Sequence, residues 1–474
     1  MEIMKRIDSY SKKIIIGLTF FAIILIITGI FSYYNFFRQH NATLIDAVPP
    51  DAAFIFKIND EELFLKNITH ISPYLNEIFS FDAFIGSQSF IDKISIKGDE
   101  PKHKIMISGH RVEEQNVLLY SATMGPSTFK DLLKTLRIDS RNCLKYEKEK
   151  IYSYGTHFKK FYFVCHHNIF SVSESLPLLK KSISQHKQLQ NLVHQEDFKT
   201  IYEITEKNNK QNWLFMNHEL FISDFSKNLN EKSQTSVAPF KKAKNWSAYQ
   251  ISFTETEMEL SGYMIPGDSF FVSLAHNSDM AQLLPLEILP FSTSCYQIEN
   301  KEQCPISFFL HKDSLDFSYG VCPSNNLFPN PESLFPSDYT QDSSVLYKDM
   351  SIYRLGETQK ASLFEEKNIT PNYFIYTKNY FICSDSINAL KYYIDQAKSN
   401  YTLEDLPLFR LSQNNLPSSA AYQVVNYFHN DQQRKNIFAT DKLNLQFINK
   451  ISIFAISMDS PQNGISATKI YIKF

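Results

Sequence analysis

The chain has 474 residues, with 48 Lys and Arg against 50 Asp and Glu, so its formal net charge is −2. Both signs are scattered along it, which supplies no field for holding a polyanion and excludes a polybasic, nucleic-acid-binding role. Hydrophobic residues at 43% and charged residues at 21% describe a folding chain, and 40 Phe and 26 Tyr against 12 Gly favour strands over glycine loops.

Lys5, Arg6, Lys12 and Lys13 precede an uncharged stretch from Ile14 to Tyr34, and Arg38 is the nearest cation after it. At about 1.5 Å per residue this stretch is long enough to cross a hydrocarbon core of about 30 Å. It ends among Phe31, Tyr33, Tyr34, Phe36 and Phe37 instead of the small residues of a cleavage site, so an uncleaved signal anchor is expected. The positive-inside rule then puts residues 1–13 in the cytoplasm and makes 14–36 a single transmembrane helix in the inner membrane. The bulk of the chain is expected to be periplasmic.

Further along, Ala53 to Ile58 and Lys104 to Ser108 have the composition of strands. Thr128 to Leu136 and Glu219 to Leu229 have helical spacing, and Asn59 followed by Glu62 suits the start of a short helix. Pro323 to Asp342, rich in Pro and turn formers, is expected to be a long loop. The segment Tyr162 to Gln185 aligns without gaps on Tyr373 to Gln396, a shift of 373 − 162 = 211. Matching columns include Asn168/Asn379, Phe170/Phe381, Ser173/Ser384, Ser175/Ser386, Lys180/Lys391 and Ile183/Ile394. Within this block the hydrophobic period changes from that of a hairpin to that of a helix. Two closing hairpins are expected, Trp246 to Phe253 with Met258 to Met264, and Ile451 to Ser457 with Ile465 to Phe474. Self-similarity at a fixed shift signals duplication. The expected fold is therefore α+β, with repeat halves over 44–265 and 266–474, each an antiparallel sheet with packed helices.

The sequence lacks the GxGxxG and GxxxxGK[ST] phosphate cradles, the GxSxG elbow, HExxH, and a DxDxDG calcium loop. Ser127 to Lys130 (STFK) matches SxxK, but it follows Gly125 and Pro126 at a helix start, where Ser127 is expected to cap. Ser173, Ser175, Ser384 and Ser386 likewise precede helices as capping candidates. His166 and His167 are neighbours on a hairpin and point to opposite faces, which suits solvated surface better than a shared metal ion. Cys143, Cys165, Cys295, Cys304, Cys322 and Cys383 leave disulfides and buried thiols both open. No catalytic, cofactor-binding or metal-binding residue is assigned, and no cofactor is expected.

The anchor, the VPPDAAFIF segment at Val48 to Phe56, the duplicated NxFxxSxS block and YQISFTETEMELSGYM at Tyr249 to Met264 resemble a family of membrane-anchored envelope proteins of the Bacteroidota. That family is defined by a domain of unknown function and offers no catalytic motif. Because the duplicated segments share no polar constellation, a non-enzymatic envelope protein that binds or scaffolds another envelope component is expected. A periplasmic carrier or sensor of a lipid-like ligand, and an enzyme with an unrecognised site, are the alternatives; a nucleic-acid partner is not expected.

Overall fold

The structure is a computed structural model. It describes residues 26–28, 43–60, 104–113, 115–139, 141–155, 160–187, 191–207, 211–220, 243–268, 286–299, 306–312, 315–324, 344–356, 371–399, 401–417, 420–428, 434 and 448–474. The first strands are β1 (Phe54–Ile58), β2 (Ile105–Val112), β3 (Gln115–Thr123), β4 (Leu144–Tyr146), β5 (Glu149–Gly155), β6 (Lys160–His166), β7 (Ile169–Ser173), β8 (Trp213–Asn217), β9 (Ala243–Phe253) and β10 (Glu257–Pro266). They are followed by β11 (Thr293–Glu299), β12 (Ile306–Lys312), β13 (Leu315–Pro323), β14 (Val345–Tyr347), β15 (Met350–Arg354), β16 (Tyr373–Thr377), β17 (Tyr380–Ser384), β18 (Tyr422–Tyr427), β19 (Ile453–Met458) and β20 (Ser466–Lys473). The α-helices are α1 (Pro126–Thr135), α2 (Leu176–Lys187), α3 (Glu196–Glu206), α4 (Ile387–Ala397) and α5 (Pro407–Asn415).

The α+β expectation is corrected here, because among the described residues twenty strands make antiparallel sheet the bulk of the structure and the helices are few and short. Every pairing with a described register is antiparallel, as in β1 with β8, β9 with β10 and β18 with β19. The physical reason lies in burial on both faces. Strands β1, β7, β8 and β18 are buried at every position, so they lack the alternation that marks a half-exposed strand in sequence.

The expected membrane helix is also corrected. Of residues 14–36 only 26–28 are described; they are helical, with Ile26 60% and Ile27 59% exposed. Among the described residues no helix is long and apolar enough to cross a membrane, which requires roughly 20 residues in one continuous helix. The rest of the anchor, most of Glu219 to Leu229, Glu62, and Asn325 to Asp342 of the expected loop lie outside the described residues.

The chain divides into two compact units, the first including Val117–Leu192 and the second including Ser108–Asn116 and Val193–Phe474. In the first unit β3, β7, β6, β5 and β4 are neighbours in that order. In the second, β13, β17, β16, β15 and β14 follow the same order. Also within the second unit, β1–β8–β9–β10 and β11–β18–β19–β20 run in matching order. Both closing hairpins form, with Phe253 opposite Met258 and Met458 opposite Thr468. β10 then pairs with β20 from Glu257↔Lys473 to Met264↔Ser466, and Glu259–Lys469 (3.0 Å) and Glu257–Lys473 (3.1 Å) ion pairs span that seam.

Turn chemistry explains the shared hairpins. His167 and Asn168 have φ of 49° and 63°, and Lys378 and Asn379 have 45° and 68°. Two consecutive left-handed residues make the turn whose twist suits a tight antiparallel hairpin, and Asn tolerates that conformation best after Gly. In the first unit, Phe129 of α1 packs against Tyr152, Phe163 and Phe170. In the second, Phe308 stacks on Tyr319 at 4.7 Å and meets Tyr393 of α4, while Phe198 of α3 packs on Trp246 at 4.9 Å. Gly262, between β9 and β20, is required by close approach, since a Cβ there would lie 1.9 Å from the Ala248 carbonyl oxygen.

Candidate functional site

Two polar constellations stand out against this apolar framework. The first occurs twice. In the first unit the β4–β5 hairpin turns at Glu147 and Lys148, both left-handed, and presents Tyr146 to α2. Tyr146 Oη lies 2.9 Å from Ser184 Oγ, and Ser184 donates to Glu147 at 2.8 Å. The Lys180 ammonium sits 5.3 Å from the Tyr146 ring centroid, within cation–π range.

The β14–β15 hairpin of the second unit makes the same clamp with different polar partners. Tyr347 donates to the two oxygens of Asp395 on α4 at 3.1 and 3.2 Å, and Lys391 lies 5.3 Å from its ring. Lys348 donates to Asp395 at 2.5 Å, and Lys398 donates to Asp349 at 2.7 Å. The hydrogen bond from Lys348 holds the Asp395 carboxyl below its ordinary pKa, and that from Lys398 does the same for Asp349. Each hairpin is thereby pinned to its helix on one side. Among the described residues β4 pairs in register with β5 and β14 with β15, and no described strand is registered against the outer edge of either. Leu144 is 44% exposed on β4, and Val345 and Leu346 are 37% and 72% exposed on β14.

The second constellation occurs once among the described residues, in the second unit. Ser108 and His110 lie two apart on β2 and share a face. Ser108 Oγ is 2.8 Å from His110 Nε2, and His110 Nδ1 is 3.3 Å from Asp51 Oδ1, just before β1. The Asp51 carboxylate favours the tautomer with the proton on Nδ1, leaving Nε2 to accept from the serine hydroxyl. That is the hydrogen-bond order of nucleophile, base and carboxylate. Ser108 and His110 are only 1% and 2% exposed, however, so no acyl group reaches the hydroxyl in this conformation. Gly109 between them admits the Phe54 ring, since a Cβ there would lie 2.1 Å from it. Counted back from the same two-residue connection, β12 carries Phe308 and Leu310, both fully buried, at these places. The strand order thus does not require the polar group.

The residues singled out from sequence are placed as follows. Ser386 Oγ accepts from the Ala389 N–H at 3.2 Å and Ser175 Oγ from Leu178 at 3.3 Å, so both cap. Ser173 and Ser384 instead donate across the sheet to the carbonyls of Leu118 (2.7 Å) and Ser318 (2.8 Å). Ser127 does not cap α1; Gly125 occupies the cap and Pro126 the first turn, where a missing N–H costs nothing. His166 is not solvated surface, being buried against Glu149 at 2.9 Å, while His167 occupies the turn. Cys143, Cys165, Cys295, Cys322 and Cys383 are free thiols, and burial pushes Cys165 up to about 11. Cys304 lies outside the described residues. Among the described residues no group of three His, Cys, Asp or Glu could hold a metal ion.

Sequence reasoning missed both constellations. Lys180 and Lys391 were visible as a matched pair, but Tyr146 and Tyr347 differ by 347 − 146 = 201 and Lys180 and Lys391 by 391 − 180 = 211, so a gapless alignment cannot find them together. The signal for the other was a serine and a histidine at strand spacing in an apolar run.

No protein-family model and no curated protein matches the chain. One solved structure, "Structure of crystal form I of TP0453", is similar over 75% of this chain and 98% of its own, at 8% identity and a TM-score of 0.20, too slight a likeness to carry fold or function.

Proposed function

We propose that this is a non-enzymatic binding or scaffolding protein that receives a protein partner on the free edges of β4 and β14. The observation behind this is the twice-made clamp: what both sections keep on their surface is a hairpin pinned by tyrosine and lysine, with apolar side chains on an open edge. An unpaired edge presents backbone donors and acceptors to an extended chain, and pinning the hairpin removes part of the ordering cost of binding. The sequence resemblance makes an envelope protein the partner class to seek. The test replaces Leu144, Leu346 or the control Leu411 on α5 with a photo-crosslinking amino acid in the full chain. Leu144 and Leu346 are expected to capture the same protein set and Leu411 none of it; equal capture from Leu411 would refute the assignment.

The Ser108–His110–Asp51 order favours a second reading, acyl transfer by a serine nucleophile uncovered in another conformation. Labelling of Ser108 by a fluorophosphonate would support it. A chain that stays unlabelled while folded would dispose of it.

A further inference from the structure

The two clamped hairpins differ in what their edges carry. β4 reads Leu144, Lys145, Tyr146 and β14 reads Val345, Leu346, Tyr347, so Leu346 stands where Lys145 does. On the inner strands Lys150 faces Lys145, and Ser351 faces Leu346. Two lysines directly opposite on an exposed two-stranded ribbon repel one another and destabilise it. The hairpin's own carboxylates do not relieve this, because Glu149 is turned to His166 at 2.9 Å and Glu147 to Ser184 at 2.8 Å. Asp131 and Asp139, also in this unit, are taken by Lys134 and Arg141. Lys145, Lys148 and Lys150 are exposed, and no described side chain pairs with any of them.

We propose that β4 is the docking strand for an acidic, extended protein segment, which adds as a further strand and sets its carboxylates against Lys145 and Lys150. This rests on the binding reading above and names the partner chemistry of one of its two edges. Alternate backbone groups of β4 face away from β5, because each residue of an antiparallel strand bonds to one neighbour only. These supply the ladder, and Leu144 supplies apolar contact. The uncompensated lysines supply selectivity and become stabilising once anions lie between them. β14, with Leu346 and Ser351 at the matching places, has no such charge.

The experiment uses the full chain and a fluorescent peptide of alternating Val and Glu, followed by anisotropy. The control variant carries Lys145→Leu with Lys150→Ser, which gives β4 the residues its sister hairpin already folds with. Binding is expected to weaken about tenfold or more in that variant and to fall with added salt. A version of the peptide N-methylated on alternate amides, with charge unchanged, is expected to lose binding because it cannot complete the ladder. Equal binding by the variant, or undiminished binding by the N-methylated peptide, would overturn the proposal. So would tighter binding of a single-stranded RNA or of anionic lipid vesicles, since charge alone would then be recognised. Failure here with continued crosslinking from Leu144 and Leu346 removes the acidic segment and leaves the edge-binding reading standing. Loss of both removes that reading as well.

Discussion

Ser108 and His110 allow a sharp test of how the buried polar group is held. Replacing His110 with Leu removes Nε2 and leaves the Ser108 hydroxyl, 1% exposed, to be satisfied inside the protein. An unsatisfied buried hydroxyl costs about 1–3 kcal/mol. Asp51, with a side chain 40% exposed, can turn to water, so its loss of His110 adds little. Ser108→Ala leaves the imidazole nitrogen in the complementary position, at a similar cost of about 1–3 kcal/mol. The double replacement removes both groups and approaches the apolar pair found at Phe308 and Leu310, so it should cost less than the sum by about 0.5–3 kcal/mol. Urea unfolding read by tryptophan fluorescence is suited to this, because the chain's 2 Trp, Trp213 and Trp246, belong to the same compact unit as the polar group. Strictly additive losses, or a double variant worse than the sum, would refute the reasoning.

Other outcomes follow from the same packing. Gly262→Ala forces a methyl to within 1.9 Å of the Ala248 carbonyl and should lower stability by at least ~1–3 kcal/mol in the same denaturation assay. Burial drives the His218 pKa down to about 3, so the folded state refuses a proton that the unfolded state accepts near its ordinary pKa of about 6.5. Its contribution is therefore complete above about pH 6.5 and is lost as pH falls from there toward about 3, with a slope of up to ~1.4 kcal/mol per pH unit. Unfolding curves between pH 7 and 4 should become flatter for His218→Leu. Tyr347→Phe removes the phenol bonds to Asp395 but keeps the ring beside Lys391, so at this exposed site thermal unfolding should shift by less than ~1 kcal/mol equivalent, whereas Tyr347→Ala should release the hairpin and speed amide exchange at β14.

The parts of the fold legible in sequence were those with strong local signals. β9 with β10 and β19 with β20 are long strands joined by turn residues, and β16, β17 and α4 could be read from β6, β7 and α2 through their shared residues. Strands buried on both faces, such as the YQVVNY of β18, show no period-two pattern and could not be counted, which is why the weight of the sheet over the helices was missed. β4 and β14 are three residues each, below the length at which periodicity means anything. The open edges and their clamps were therefore invisible until tyrosine and helix were brought together across segments of unequal length. Asp51 lies 110 − 51 = 59 residues from His110, and only the neighbouring of β1 and β2 joins them.

The central claim is that binding takes place on the free strand edges. Hydrogen–deuterium exchange of the full chain, alone and with the crosslinked partner added back as purified protein, tests it directly. Slowed exchange confined to residues 144–146 and 345–347, with the β10–β20 seam unchanged, is the predicted result. Protection that leaves both edges exchanging freely and appears on the helices instead would contradict it.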